Sequence, residues 1–288
     1  MPIQKARVPW TLLLIVLMLW GAAAARAAEP SYYLALGDSL AQGVQWNPAG
    51  DTPTNLGYAD DLHALLRLRD PGLTLVKLGC SGETTTSMIK GGNPSCAYAG
   101  PQLAAAVNFL ENHNVGLVTI DIGANDIDTC ISLAGVDAGC ALGAGATVAS
   151  NLYVILNALR AASPHTLIVG MNYYDPFLAA YTLLPVGGAA LAEQSLAATT
   201  AFNTTVLGDT YALFFIPVAD VATAFQISNP TPIPLLKNLP LDVFLTLSWT
   251  WMLAPPPFGP DIHPNAAGYA VIAAAFAQQI ASHPLPRD

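Results

Sequence analysis

Along the chain, short continuous apolar runs alternate with longer segments in which apolar positions recur every three or four residues. The runs are Tyr32–Leu36, Leu73–Leu78, Val115–Ile122, Thr166–Asn172 and Tyr211–Val218. A run that does not alternate with polar residues suits a strand covered on both faces. The helical pattern falls on Tyr58–Leu68, Pro101–Asn112, Thr147–Ala162 and Ala189–Leu207, and Ala266–Ile280 closes the chain. Regular alternation of the two patterns predicts an α/β fold. The expected architecture is a three-layer α/β/α sandwich around a five-stranded parallel sheet with right-handed crossovers. No internal repeat or linker interrupts it, so residues 28–288 read as one domain.

Two segments depart from the pattern. Tyr173–Val186 is aromatic and apolar. Gln226–Pro260 carries eight prolines together with Trp249 and Trp251. A segment of that length with no evident regular structure is expected to be functional or mobile, here a pocket wall or lid.

The N-terminus has its own pattern. Lys5 and Arg7 precede an apolar stretch, which ends in Ala25-Arg26-Ala27. A basic head, an apolar centre and a small-x-small end predict a secretory signal peptide over residues 1–27. The chain is then exported, to the periplasm or outside the cell, and keeps no membrane span. Without those residues it holds 7 basic and 19 acidic residues, a net charge of −12. Such a surface disfavours nucleic acid, anionic membranes and polyanionic substrates. Charged residues make up only 10% of the chain, against roughly 25% in an ordinary soluble domain. Mean hydropathy is +0.46. Both values suit a large core or exposed apolar surface.

Four cysteines, Cys80, Cys96, Cys130 and Cys140, are an even number in an exported chain, which predicts two disulfides. Three connectivities are possible, of which the local pairs are the simplest. Neither a C-x-x-C nor an H-E-x-x-H motif is present, and no Walker loop occurs. No metal and no cofactor are therefore expected.

The candidate chemistry sits at strand ends, where sites form in open α/β sheets. Gly37-Asp38-Ser39-Leu40 follows the first run, Ser81-Gly82-Glu83-Thr84 the second, and Gly123-Ala124-Asn125-Asp126 the third. Asp261-Ile262-His263-Pro264-Asn265 precedes the last helix. Ser39 offers a nucleophilic hydroxyl and His263 a base to deprotonate it. The amides of Ser39 and Gly82 and the side chain of Asn125 offer donors for an oxyanion. Asp38 is expected to brace the turn. His63, His113, His165 and His283 read as surface or helix-end residues.

These four motifs, in this order, resemble the SGNH/GDSL hydrolase family over essentially the whole mature chain. The resemblance implies a flavodoxin-like sandwich, ester hydrolysis without a metal, and Ser39, Gly82, Asn125 and His263 as the family's four named residues. Tyr173–Phe177 and Ala254–His263 are similar to a secreted lipase-like branch. In that branch the cysteines pair locally, which implies Cys80–Cys96 and Cys130–Cys140. One position departs from the pattern. The family acid lies three residues before the histidine, where this chain has Pro260. Either Asp261 orients His263 through an altered turn, the preferred expectation, or a backbone carbonyl such as that of Pro260 does. The expected substrate is a small-molecule or lipid ester, cleaved by a monomeric lipase or esterase. The alternatives are a carbohydrate acetyl esterase and a non-catalytic binding protein on the same fold.

Overall fold

Continuous apolar runs become strands because a helix layer covers each face of the sheet. In the computed structural model, which describes residues 31–283, the principal elements run in chain order. They are β1 (Tyr32–Gly37), α1 (Ser39–Gln42), α2 (Tyr58–Leu66), β2 (Thr74–Lys77), α3 (Thr85–Lys90), α4 (Gln102–Asn112) and β3 (Val115–Asp121). Then follow α5 (Ala124–Asp128), α6 (Ala138–Ala162), β4 (Leu167–Met171), α7 (Gly188–Ala201), β5 (Val218–Ala219), α8 (Leu241–Trp249) and α9 (Ala266–Ser282). The signal peptide expected over residues 1–27 lies outside the described residues.

The five strands form one parallel sheet in the order β2-β1-β3-β4-β5. This is the flavodoxin-like order, with its switch point between β1 and β3. Tyr33 to Leu36 of β1 and Leu117, Val118 and Ile120 of β3 are fully buried. α2 packs with α9, while α3 and α4 pack with α6. Tyr58 of α2 stacks on Phe276 of α9, with ring centroids 4.8 Å apart.

Three expectations are corrected. The run Tyr211–Val218 is not one strand: Asp209–Leu213 is helical, and only Val218–Ala219 joins the sheet. The reason is packing. The Tyr211 ring lies over Gly170 of β4, where an added Cβ would come within 2.4 Å of it. Tyr211 is therefore buried from a helix above the sheet. Helix α6 begins at Ala138, well before Thr147. Asp137 caps it by accepting from the Cys140 N–H at 3.0 Å, and this cap offsets the helix-weakening glycines of its first turns. Finally, Gln226–Pro260 is not without regular structure. It holds a short antiparallel pair, Pro232–Ile233 with Leu239–Pro240, and then α8. Pro240 stands at the N-cap position of α8, where its missing N–H costs nothing.

Candidate active site

Ser39 stands at the first position of α1, directly beyond β1. Gly37 makes the tight exit possible, with φ of +135°. A Cβ there would lie 1.9 Å from the Asp121 carbonyl oxygen of neighbouring β3, so only glycine fits. Buried Gln102 clamps the same peptide edge. Its Oε1 accepts from the Gly37 N–H at 2.8 Å and its Nε2 donates to the Gly37 carbonyl at 2.9 Å. Asp38 braces the turn as expected, its Oδ1 accepting from the Leu40 N–H at 2.9 Å. Beneath it Asp121 accepts from Tyr58 Oη at 2.5 Å and from the Asp38 and Ala41 amides at 3.3 Å. Burial and the neighbouring Asp38 charge push the Asp121 carboxyl well above the ordinary carboxylate range. The serine turn thus rests on a fixed polar floor.

His263 approaches from the loop before α9. The loop is held by backbone bonds to the segment after α8: Asp261 N–H to Trp251 O at 3.1 Å and Trp251 N–H to His263 O at 2.9 Å. Tyr174 Oη adds a bond to the Ile262 carbonyl at 2.7 Å. Asn265 caps α9 through the Ala267 and Gly268 amides, so it is an architectural residue. Asp261 Oδ1 accepts twice from His263, from the backbone N–H at 2.6 Å and at Nδ1 at 2.9 Å. The two-residue spacing therefore gives a direct carboxylate–imidazole contact through a tight Asx-type turn.

A second carboxylate stands beside this pair. Asp51 Oδ2 lies 3.7 Å from His263 Nδ1. Burial would lower the imidazole's pKa, but the hydrogen bond and charge of Asp261 and the charges of Asp51 and Asp38 outweigh it. They hold His263 above the ordinary histidine value. Burial likewise opposes ionisation of Asp261, yet its bond from His263, the adjoining Asp51 and the charge of His263 keep it below the usual range. Asp51 takes the opposite shift. Burial and the adjoining Asp261 raise its carboxyl to about 6.

The two remaining loops are tied together. Asn125 Nδ2 donates to the Glu83 carbonyl at 2.9 Å, which leaves one amide hydrogen free to point elsewhere. Asp126 accepts from the Thr85 backbone and hydroxyl at 2.9 and 2.8 Å. Gly82 has φ of +73°, and the space where its Cβ would stand is empty to 4 Å.

Ser39, Asn125 and His263 line one narrow pocket of about 60 Å³. Gly82 is not among the lining residues; Asn125 connects its loop to the pocket. Ser39, Asp261 and His263 are each under a tenth exposed. Tyr173, Tyr174 and Phe177 form an aromatic wall. The wall expected from Gln226–Pro260 is not there, since the lining residues come from other segments. That segment braces the histidine loop instead. Asp51 and Asp128 are acidic residues that the motifs did not single out. Asp128 also lines the pocket, and burial together with the Asp38 and Asp175 charges raises it to about 7.

The cysteines pair as Cys80–Cys96 and Cys130–Cys140. The first bridge spans the loop after β2 that carries Gly82, and the second ties the region after α5 to the start of α6.

The model of the GDSL-like lipase/acylhydrolase family matches residues 35–271. No curated protein matches the chain in sequence. Among solved structures, an extracellular lipase from Streptomyces rimosus is 21% identical. The match covers 86% of this chain and 99% of that one, with a TM-score of 0.57. Phospholipase A1 from Streptomyces albidoflavus is 22% identical over 88% and 100% of the two chains, with a TM-score of 0.54. A lipase from a goat rumen metagenome is 17% identical over 86% and 96%, with a TM-score of 0.55. At these identities the likeness is one of fold.

Proposed function

The chain belongs to the GDSL-like lipase/acylhydrolase family, and within it we propose that this protein is an exported serine hydrolase of carboxylic esters. The observation that carries the reading is a single pocket lined by Ser39, Asn125 and His263, with the imidazole bonded to Asp261. Asp261 at Nδ1 selects the tautomer that leaves Nε2 with its lone pair. Nε2 takes the Ser39 hydroxyl proton as Oγ attacks the ester carbonyl. The oxyanion receives the Ser39 N–H and the free amide hydrogen of Asn125, and the Gly82 N–H is the third donor if its loop, tied to the pocket by Asn125, closes on the bound ester. Collapse breaks the bond to the alcohol, which leaves with the proton held on Nε2. Water then repeats the sequence on the acyl-serine, and His263 returns the proton to Ser39. The carboxylates at Asp261 and Asp51 stabilise the imidazolium formed in both halves. The two disulfides support export, since such bonds persist in oxidising compartments.

The test is turnover of a nitrophenyl ester by Ser39→Ala and His263→Ala, each shown to be folded by circular dichroism. Each should lose on the order of 10³-fold or more in kcat. Turnover close to that of the wild type in either variant would refute the serine mechanism.

A further inference from the structure

The pocket at Ser39 is small, with a volume of about 60 Å³. A second cavity of about 610 Å³, open to solvent as a groove with Leu142, Ala146 and Ala197 exposed along it, lies beside it between α6 and α7. Ile127 and Phe202 line both cavities, so two apolar side chains form a shared wall. We infer that this second cavity is the acyl-chain site, entered from Ser39 past Phe202, and that it directs the enzyme to esters of medium and long fatty acids. The inference rests on the ester-hydrolase reading and adds the substrate class.

The cavity's chemistry fits an alkyl chain and little else. Its floor is built of small residues, among them Ala141, Gly145, Ala149, Ala198 and Ala201. Gly145 keeps it open: a Cβ there would come 3.2 Å from Val206 Cγ2 on the facing helix. Two of the polar atoms in the lining are already engaged. Gln194 Oε1 accepts from the Val136 N–H at 3.1 Å, and the Thr205 hydroxyl donates to the Ala201 carbonyl at 2.7 Å. Thr205 therefore turns no free hydroxyl hydrogen into the cavity. The volume lies within the roughly 300–1,000 Å³ of small-molecule sites.

The wall between the cavities is itself unusual. At Phe202 helix α7 gives way to π-helical turns over Phe202–Gly208. Such turns occur at functional sites and re-aim the side chains around them. The tip of the Phe202 ring reaches to 3.1 Å from where a Cβ on Gly123 would stand, against the loop that carries Asn125. Glycine at 123 admits the ring. A change of rotamer at Phe202 joins the two compartments and places an alkyl chain in the larger one while its carbonyl stays at Ser39. This continuity with the reactive pocket is what selects an acyl chain over a second copy of the protein as the occupant.

A chain-length series of nitrophenyl esters from acetate to palmitate tests the inference. Burial of each methylene should raise kcat/KM by about fourfold until the cavity is filled. Decanoate should therefore exceed acetate by at least about tenfold. Ala146→Phe on α6 and Ala197→Phe on α7, both at exposed lining positions, should fill the cavity from opposite walls. Each should cut the decanoate-to-acetate ratio by about tenfold or more. Should one variant fail to fold, the other carries the test. A folded wild type that cleaves acetate but not decanoate would overturn the inference and leave the ester-hydrolase reading intact. So would a ratio unmoved by either variant, or a stable dimer in sedimentation that dissociates when the cavity is filled. Failure to cleave any ester would overturn both.

Discussion

Asp261→Asn removes a charge without removing an acceptor, and the arrangement around it fixes how large the effect should be. Both bonds from His263, at 2.6 and 2.9 Å, converge on the same oxygen, Oδ1. In the variant the amide oxygen takes that position, because the opposite orientation would set the amide NH2 against the His263 backbone N–H. The amide nitrogen then faces Asp51, a carboxylate that accepts from it. Tautomer and ring orientation are preserved, and what is lost is the stabilisation of the imidazolium by a full charge. A charge-assisted bond exceeds a neutral one by about 1–2 kcal/mol, and the lost long-range attraction adds about 1 kcal/mol. The sum of about 2–3 kcal/mol corresponds to a fall of roughly 30- to 150-fold in kcat. Asp51, 3.7 Å from Nδ1, keeps the loss from being larger.

The same substitution should move the pH profile. His263 must be neutral to act as base, and its two neighbouring carboxylates hold its pKa above the ordinary value. Activity therefore falls as pH drops through that raised pKa. Asp261→Asn withdraws the largest upward influence, so the acid limb should move to lower pH. The assay is kcat against pH on one nitrophenyl ester for the wild type, Asp261→Asn, Asp51→Asn and the double variant. The double variant should lose more than the sum of the single losses in free energy, since each carboxylate covers for the other. A loss near 10⁴-fold in Asp261→Asn would mean that the amide nitrogen faces Nδ1 and inverts the tautomer, which refutes the orientation by Asp51. A loss below about fivefold would mean that the carboxylate does not act on His263.

Three further outcomes are expected. Asn125→Ala should lower kcat by about 10²–10³-fold with a smaller effect on KM, because its free amide hydrogen acts on the oxyanion; an effect confined to KM would contradict that role. Gly37→Ala should cost about 3 kcal/mol or more, a fall of roughly 6–12 °C in Tm, because the methyl group meets the Asp121 carbonyl in a left-handed backbone; a Tm within about 2 °C of the wild type would contradict it. Peptide mapping without reduction should recover Cys80–Cys96 and Cys130–Cys140, each bridge stabilising by about 2–4 kcal/mol, whereas free thiols in the protein purified without reductant would contradict the pairing.

The sheet was legible because its strands are buried on both faces, so β1 and β3 appear as unbroken apolar runs. Three of the four motif loops were legible because each follows a strand, the first with Gly37 in its left-handed turn, and the fourth because it precedes the last helix. Tyr211 misled for a physical reason. An aromatic, apolar run fits a strand and a buried helical turn equally well, and only its contact with Gly170 decides. The cap at Asp137 that starts α6 sits before an Ala/Gly stretch of low helical signal, which hid the first turns. Asp51 was invisible because its proximity to His263 is set by tertiary packing across more than two hundred residues, with no motif around it. The prolines of Gln226–Pro260 suggested an irregular wall, yet Pro240 begins a helix and Trp251 braces the histidine loop.

The central claim is that Ser39 is an activated nucleophile. An alkyl fluorophosphonate followed by peptide mass spectrometry tests it most directly, because the label marks the attacking oxygen itself and needs no knowledge of the substrate. The wild type should be modified at Ser39, with one label per chain. His263→Ala should react far more slowly, and Ser39→Ala should not react at all. A folded wild type that leaves Ser39 unlabelled, or that takes the label at another serine, would contradict the account.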